Sequence, residues 1–148
     1  MAISFFVKSF DELDVHELYA LLRLRAEVFV VEQDCPYQDL DNKDQKCFHV
    51  LMYKGRDLVG CSRLVPPGLS YSEISIGRVI TAESVRGSGL GRSLMEHSIQ
   101  GCRDKFDTGS IRLSAQVYAK KFYSSLGFKE EGEPYDEDGI PHISMVLS

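Results

Sequence analysis

Apolar residues recur along the chain with two periods, and each period predicts a different kind of element. A spacing of three to four residues predicts amphipathic helices over residues 15–32 and 89–103, and a shorter helix is expected at 118–126. The first helix also has a start signal, because Asp14 precedes it as a cap residue and Glu17 follows three positions later. Each long helix would bury one face and leave the other in solvent.

Shorter apolar runs, separated by turns rich in glycine, proline and aspartate, predict strands. They lie at residues 3–8, 47–53, 58–65, 73–81, 111–116 and 140–147. With one more strand before the last, the element order is β-α-β-β-β-α-β-α-β-β, which predicts an α/β fold with a mixed sheet and helices on both faces. No internal repeat or linker interrupts this order, so we expect a single domain over residues 1–148.

Composition and charge narrow the classes of protein and partner. Hydrophobic residues make up 43% of the 148 residues and charged residues 26%, values typical of a soluble globular protein. No apolar run approaches the ~20 residues of a membrane helix, and residues 1–10 lack the basic start and apolar stretch of a signal peptide. We therefore expect a cytoplasmic protein with no membrane partner, whose four cysteines are free thiols. The net charge of −5 argues against nucleic acid as a partner.

One segment has the composition of a phosphate-binding loop and lies between a predicted strand and a predicted helix. It runs Arg86-Gly87-Ser88-Gly89-Leu90-Gly91-Arg92. Glycines at alternate positions let the backbone turn sharply and approach a ligand closely, and the start of a helix adds unpaired N–H groups with a partial positive charge. Arg86 and Arg92 could supply charge-assisted contacts. The loop therefore predicts a site for phosphate.

Spacing excludes other nucleotide and metal motifs. In the dinucleotide fingerprint G-x-G-x-x-G the third glycine would fall on Arg92, and the lysine of the nucleotide-triphosphatase loop is absent. The stretch from Asp39 to Asp44 has Lys43 where a calcium loop needs a ligand. Ala20 stands where a zinc-protease helix beginning at His16 would need its second histidine. We expect no metal.

The segment from Gly77 to Gly91, which contains the glycine loop, resembles the acetyl-CoA motif of the GNAT superfamily of N-acetyltransferases. A later stretch, from Gln116 to Phe128, resembles a second motif of that superfamily, with alanine, an aromatic residue followed by tyrosine, and Gly-Phe in the corresponding places. Residues 24–37 and 136–143 resemble its bacterial ElaA-like branch. The resemblance spans most of the chain.

This resemblance implies a mostly antiparallel sheet in which a central strand pair, 73–81 and 111–116, splays apart and admits the pantetheine arm of acetyl-CoA. By position, the main chain of Val79, Ile80 and Thr81 would bond the pantetheine amides. The loop from Arg86 to Arg92 would hold the pyrophosphate. Gln116 stands where many relatives have an asparagine that reaches towards the cofactor, which is a conservative departure.

The resemblance also implies an N-acetyltransferase in which a neutral amine attacks the thioester directly. Tyr123 matches the superfamily's general acid, which protonates the departing sulfur, and it would also contact the cofactor. For the general base the sequence offers Glu32, His49, Glu73 and His142, and we favour His142. The acceptor would be a small-molecule or peptide amine, and a homodimer is compatible with the chain.

Charged residues outside the motifs have two interpretations. On the first helix, Arg23 and Glu27 fall on the solvent side, and Arg25 falls near the boundary. Arg25 and the three aspartates of the loop, at positions 39, 41 and 44, could form or order the acceptor pocket. A solvated surface is nevertheless the commoner place for such residues.

Two alternative functions remain open. The pattern Leu24-Arg25-x-x-Val28-Phe29 ahead of an acidic loop also resembles the acyl-homoserine lactone synthases, which share this fold. Against that assignment, the loop from Arg86 to Gly91 looks far more like that of a CoA binder. A non-catalytic acyl-CoA-binding module would keep the same loop and lack a working acid and base.

Overall fold

The computed structural model describes residues 2–106 and 109–148. Within them, seven strands form one sheet: β1 (Ile3–Ser9), β2 (Phe48–Lys54), β3 (Asp57–Val65), β4 (Ile74–Thr81), β5 (Ile111–Gln116), β6 (Lys129–Glu137) and β7 (Ile140–Leu147). The order across the sheet is β1-β2-β3-β4-β5-β7-β6. The β4–β5 pair is parallel and the other pairs are antiparallel. The predicted element order and the mostly antiparallel α/β class are confirmed.

Helices α1 (Val15–Arg25) and α2 (Leu90–Phe106) pack on opposite faces of the sheet, and the short α3 (Lys120–Ser125) follows β5. The alternation of side chains along β2 shows the two faces, since Val50 and Met52 belong to the core that includes α2 residues. Leu51, between them, packs with α1 instead. In the part of the chain that the structure describes, no helix combines the length and apolar character needed to cross a membrane.

The first helix begins as predicted and then changes form. Asp14 accepts a hydrogen bond from the Glu17 N–H at 2.8 Å, and the Glu17 carboxylate accepts one from the Asp14 N–H at 3.0 Å. Beyond Arg25 the chain continues as a π-helical segment, Ala26–Glu32, instead of the α-helix predicted to residue 32. The hydrophobic spacing fits both forms, so the extra residue per turn could not be predicted from it.

The two central strands meet only briefly in the described sheet. β4 and β5 pair at two positions, Ile74 with Ile111 and Ser75 with Arg112, and then separate. A splayed central pair is therefore present, as the family resemblance implied. The separation leaves one side of β4 without a neighbouring strand from Ile76 onwards.

A bulge accompanies this separation. The register between β3 and β4 shifts after the Cys61–Ile80 pair, so that Arg78 and Val79 together lie opposite Ser62. Arg78 has a φ of 50°, in the left-handed region that residues other than glycine seldom adopt. A bulge increases the local twist of a strand, and this one lies in the part of β4 that has no β5 partner.

Candidate functional site

A cleft of about 880 Å³ opens where β4 and β5 separate. One wall contains β4 from Ser75 to Thr81, and the opposite wall contains Leu113, Ser114 and Gln116 of β5. In a strand, successive residues direct their N–H and C=O groups to opposite sides, so part of the β4 main chain faces the cleft. Backbone groups of this kind need hydrogen-bond partners, and an extended ligand with amide groups could supply them.

The glycine loop follows β4 and leads into α2. Gly87 and Gly89 have φ values of 80° and 82°, which glycine adopts without the steric cost that a side chain would add. Gly91 lies in the first turn of α2, where any residue fits the backbone. At none of the three glycines does a described atom, apart from the chain neighbours and the nearby helix backbone, lie within 4 Å of the place where a Cβ would stand. Open space therefore surrounds the loop.

This arrangement fits an anionic ligand. Neither backbone conformation nor packing within the described residues requires glycine at position 91, whereas close approach of a ligand to the backbone would. The first N–H groups of α2 have no partner within the helix, and its dipole favours negative charge there. A phosphate group of a nucleotide cofactor is such a ligand.

The two arginines of the loop have different partners. Arg86 lines the cleft, donates to the Thr81 carbonyl at 2.9 and 3.1 Å, and pairs with Glu32 at 2.7 Å. Arg92 turns towards α3, where it donates to the hydroxyl of Ser125 at 2.9 Å. Ser88 donates its hydroxyl hydrogen to the carbonyl of Val85, which closes the turn before α2. Of the two predicted cations, Arg86 is thus the one that lines the cleft.

Tyr123 lines the same cleft from α3. Its ring packs edge to face against Phe122 and Phe128, with centroids 5.1 and 6.1 Å away. Burial disfavours the phenolate and raises the pKa of Tyr123 to about 12. The phenol therefore keeps its proton at neutral pH and can donate it.

His142 also lines the cleft, on β7, where it pairs in register with Gln116 of β5. It is 7% exposed. Its Nδ1 lies 2.8 Å from the Ile140 carbonyl, so this nitrogen donates. The other ring nitrogen, Nε2, lies 3.2 Å from a carboxylate oxygen of Glu137. Nε2 is thus the ring nitrogen that the main chain leaves free, and it faces the carboxylate of Glu137.

Of the other three candidates for the general base, one lines the cleft and two lie elsewhere. Glu32 lines the cleft but is paired with Arg86. His49 is fully buried and bonds the Asp44 carbonyl at 2.9 Å, and burial lowers its pKa. Glu73 lies at the surface, where hydrogen bonds from Arg112 lower its pKa to about 2. Among the residues that line the described cleft, the structure brings Glu32 and His142 together with Tyr123, but not His49 or Glu73.

Comparison with known proteins identifies the family. Residues 12–148 match the family model described as an acetyltransferase (GNAT) domain. This chain belongs to the GNAT family. It is 43% identical over 138 residues to the protein ElaA of Escherichia coli, which covers 92% of this chain and 90% of ElaA. It therefore falls in the ElaA-like branch of the family.

Solved structures agree with this assignment. An acyl-CoA N-acyltransferase from Pseudomonas aeruginosa superposes with a TM-score of 0.95 at 38% identity, over 99% of this chain and 100% of that one. The structure of E. coli ElaA gives 0.94 at 40% identity, with the same coverage. A CoA-dependent acyl-homoserine lactone synthase gives 0.82 at 19% identity, over 99% of this chain and 83% of that one, which shows the fold alone. The GNAT fold implies acyl-CoA binding.

Of the charged residues next to the GNAT cleft, the sequence indicated Arg25 and the three aspartates of the loop before β2 as residues that could form or order the acceptor pocket, and it gave no signal for Arg63 or Arg78. Three arginines and three aspartates form a buried ion network: Arg25, Arg63, Arg78, Asp39, Asp41 and Asp44. Arg25, which is 1% exposed, donates to Asp39 and to Asp44 at 2.9 Å each. The interpretation of these residues as a solvated surface is wrong, because the network keeps most of them from water.

The network connects the cleft to elements distant in the sequence. Arg63 of β3 donates to Asp41 at 2.8 Å and to Asp44 at 3.0 Å, and Arg78 of the bulge donates to Asp39 at 2.7 Å. Burial raises the pKa of Asp41, but the hydrogen bonds and charge of Arg63 outweigh it and hold this pKa at about 2. Arg63, Arg78 and Asp41 all line the cleft. The loop before β2, which carries the three aspartates, is thereby fixed against β3 and β4, and β4 bounds the cleft.

Proposed function

We propose that this chain is an N-acetyltransferase that takes an acetyl group from acetyl-CoA and transfers it to a primary amine. The observation that carries the proposal is that one cleft joins the free side of β4, Arg86, Tyr123 and His142. Acetyl-CoA supplies an activated thioester when bound. The chain supplies binding groups along the cleft and proton transfer at its centre.

Binding would use mostly main-chain groups. Val79, Ile80 and Thr81 belong to the part of β4 that has no partner on the β5 side, and they would bond the pantetheine amides. The loop from Arg86 to Gly91 would hold the pyrophosphate with backbone N–H groups, and Arg86 would add charge. Gln116 would contact the cofactor from the opposite wall. Arg92, in contrast, donates to Ser125 at the end of α3, the helix that carries Tyr123.

The reaction needs one proton donor and one proton acceptor. Tyr123 donates its phenolic proton to the departing sulfur, and its raised pKa keeps that proton available. The Nε2 atom of His142 takes the proton that the amine loses. The new bond joins the amine nitrogen to the acetyl carbon, and the bond between that carbon and sulfur breaks.

Release of CoA from acetyl-CoA, measured over a broad panel of amines, tests the proposal. We expect Tyr123→Phe to lower kcat by about 10²- to 10⁴-fold, the usual effect of losing a general acid, with little change in KM for acetyl-CoA. Tyr118→Phe is the matched control, since Tyr118 lines the same cleft but is 82% exposed. Binding of acetyl-CoA without CoA release for any amine, and with Tyr123→Phe unchanged, would support a non-catalytic binding module instead.

A lactone synthase is the second candidate, because Phe29 of the pattern shared with those enzymes lines the cleft. The fold likeness to a lactone synthase is consistent with it. Mass spectrometry after incubation with S-adenosylmethionine and a series of acyl-CoA donors decides between the two. Detection of a lactone would support this candidate, and its absence alongside an acetylated amine would remove it.

A further inference from the structure

The two walls of the cleft carry opposite charge. Three cations, Lys43, Arg63 and Arg78, and one carboxylate, that of Asp41, line the cleft on the wall formed by β3, β4 and the loop before β2. Glu137 and Asp138 line it on the wall formed by the β6–β7 hairpin. A ligand that lies across this gap therefore meets cations on one side and carboxylates on the other.

The positive wall retains charge that the protein does not neutralise. The arginines and aspartates of the ion network are equal in number. Lys43 adds a further cation, whose ammonium donates to the Ser70 hydroxyl at 3.1 Å and pairs with no carboxylate of the described residues. Arg63 is 4% exposed, and its Nε is buried without a hydrogen-bond partner in the same part of the chain. One positive charge and one unused donor thus remain on this wall.

The negative wall carries the proposed base. Glu137 is half-exposed and lies 3.2 Å from Nε2 of His142. Asp138 has a φ of 53° at the turn of the hairpin, and none of the described residues hydrogen-bonds its carboxylate. Two carboxylates attract an ammonium group and hold it next to Nε2 of His142; the ammonium gives one proton to solvent before the neutral amine attacks, and Nε2 would receive the second. The amine of the acceptor belongs on this side.

We propose that the acceptor carries a carboxylate as well as the amine, so that the substrate class is the amino-carboxylic acids. The carboxylate lies at Lys43, and the amine lies at Glu137 and Asp138. This inference rests on the proposed function and narrows its acceptor. A simple amine would leave the cation at Lys43 without a partner, while an amino acid pairs both walls.

Matched acceptor pairs test the inference. Each amino acid is compared with the amine that it gives on loss of its α-carboxylate, such as phenylalanine with phenethylamine and lysine with cadaverine. We expect kcat/KM of the best pair to favour the amino acid by about tenfold or more, the effect of one charge-assisted contact. Lys43→Gln is expected to make the kcat/KM values of the two members of the pair nearly equal. Lys43→Glu is expected to give the simple amine the higher kcat/KM. Lys46→Gln, at an exposed lysine three residues further on, is expected to leave the preference unchanged.

The outcomes separate this inference from the proposed function. Acetylation of simple amines as fast as, or faster than, the matched amino acids would overturn the inference and leave the acetyltransferase standing. A preference for amino acids that Lys43→Glu does not alter would also overturn it. Calorimetric titration of the same pairs in the presence of CoA gives a readout without turnover, and binding of no amino acid, or equal binding of both members, would count against the inference.

Discussion

Gly89 and Gly91 of the glycine loop differ in what would make glycine necessary at each position. Gly89 is required by its left-handed backbone, whereas Gly91 sits in an ordinary helical turn with open space around it. A side chain at 91 would therefore be tolerated by the protein and not by a ligand against the backbone. Binding and stability can be separated at these two residues.

We expect Gly91→Ala to raise the free energy of unfolding of the ligand-free protein by about 0.5 kcal/mol, because alanine favours a helix. The same change should weaken CoA binding. Gly89→Ala should lower the free energy of unfolding by about 1 kcal/mol, because it places a Cβ in the left-handed region. Urea denaturation and calorimetric titration with CoA measure the two quantities. Unchanged CoA affinity in Gly91→Ala would contradict the assignment of this turn to the cofactor.

Candidate site residues could be predicted best where they belong to a motif of residues close together in the sequence. The glycine loop and the positions of Tyr123 and His142 follow from motifs read along the chain, and all three line or border one cleft. Buried charge was different, because Arg25 and Asp44 are 19 residues apart and no period links them. His49 entered as a base candidate for the same reason, since only the fold shows that its ring is enclosed.

At the scale of elements, the ion network holds the loop before β2 against α1, β3 and the bulge of β4. A buried ion pair contributes little net stability when complete, but removing one partner leaves the other charge buried without compensation. The network therefore makes the position of this loop sensitive to each of its members. Arg25, at the end of α1, is the most enclosed of them.

We expect Arg25→Ala to lower the free energy of unfolding by about 3–5 kcal/mol, since Asp39 and Asp44 would each lose one of two arginine partners and the buried network would keep one negative charge in excess. Arg23→Ala, two residues earlier on the same helix, is the control. Its side chain is 67% exposed and pairs with Glu27 at 3.8 Å, so we expect a loss below about 0.5 kcal/mol. Chemical denaturation of both variants measures the difference, and equal losses would show that the network does not stabilise the fold.

The π-helical segment is linked to the glycine loop by the ion pair of Glu32 with Arg86. A bound pyrophosphate would compete with Glu32 for this arginine and would be repelled by its carboxylate. We expect Glu32→Gln to tighten CoA binding up to about fivefold, the range of a partly exposed ion pair. The effect should vanish with S-acetylpantetheine, which lacks the pyrophosphate.

Glu27→Gln is the matched control for Glu32→Gln, because Glu27 lies in the same segment and pairs with Arg23 away from the loop. Calorimetric titration gives both affinities. An equal gain with S-acetylpantetheine would show that Glu32 acts elsewhere in the cleft.

Element boundaries were predicted well where turns mark them. Predicted strands 111–116 and 140–147 are β5 and β7 without change, and the helix predicted from 89 begins at Leu90. The π-helical continuation of α1 and the bulge at Arg78 were not predicted, because both insert one residue without changing which positions are apolar. These two irregular segments border the cleft.

At the scale of the whole molecule, acid should destabilise the fold through the network. The pKa of Asp41 is about 2 in the folded chain, below its ordinary value of 3.8, and the pKa of Asp44 is lowered as well. Between about pH 2 and pH 4 the folded state therefore binds fewer protons than the unfolded state. The stability from these groups is complete above about pH 4 and is lost as the pH falls towards 2.

We expect the difference in Tm between the wild type and Asp41→Asn to stay constant from pH 7 to about 4 and to shrink at lower pH. Thermal unfolding at a series of pH values measures it. Asp11→Asn, at an exposed position outside the network, is the control. A difference that stays constant down to pH 2 would mean that Asp41 does not titrate with the network.

The separation of β4 from β5 has a consequence for how this protein can diverge. A strand gap presents main-chain groups, which every residue except proline carries alike, so mutation of side chains leaves its recognition chemistry in place. Substitutions can then change the charge and shape of the side chains around the gap while the main-chain groups of β4 stay in place. The acyl-homoserine lactone synthase with the same fold at 19% identity shows that this backbone arrangement accommodates very different side chains.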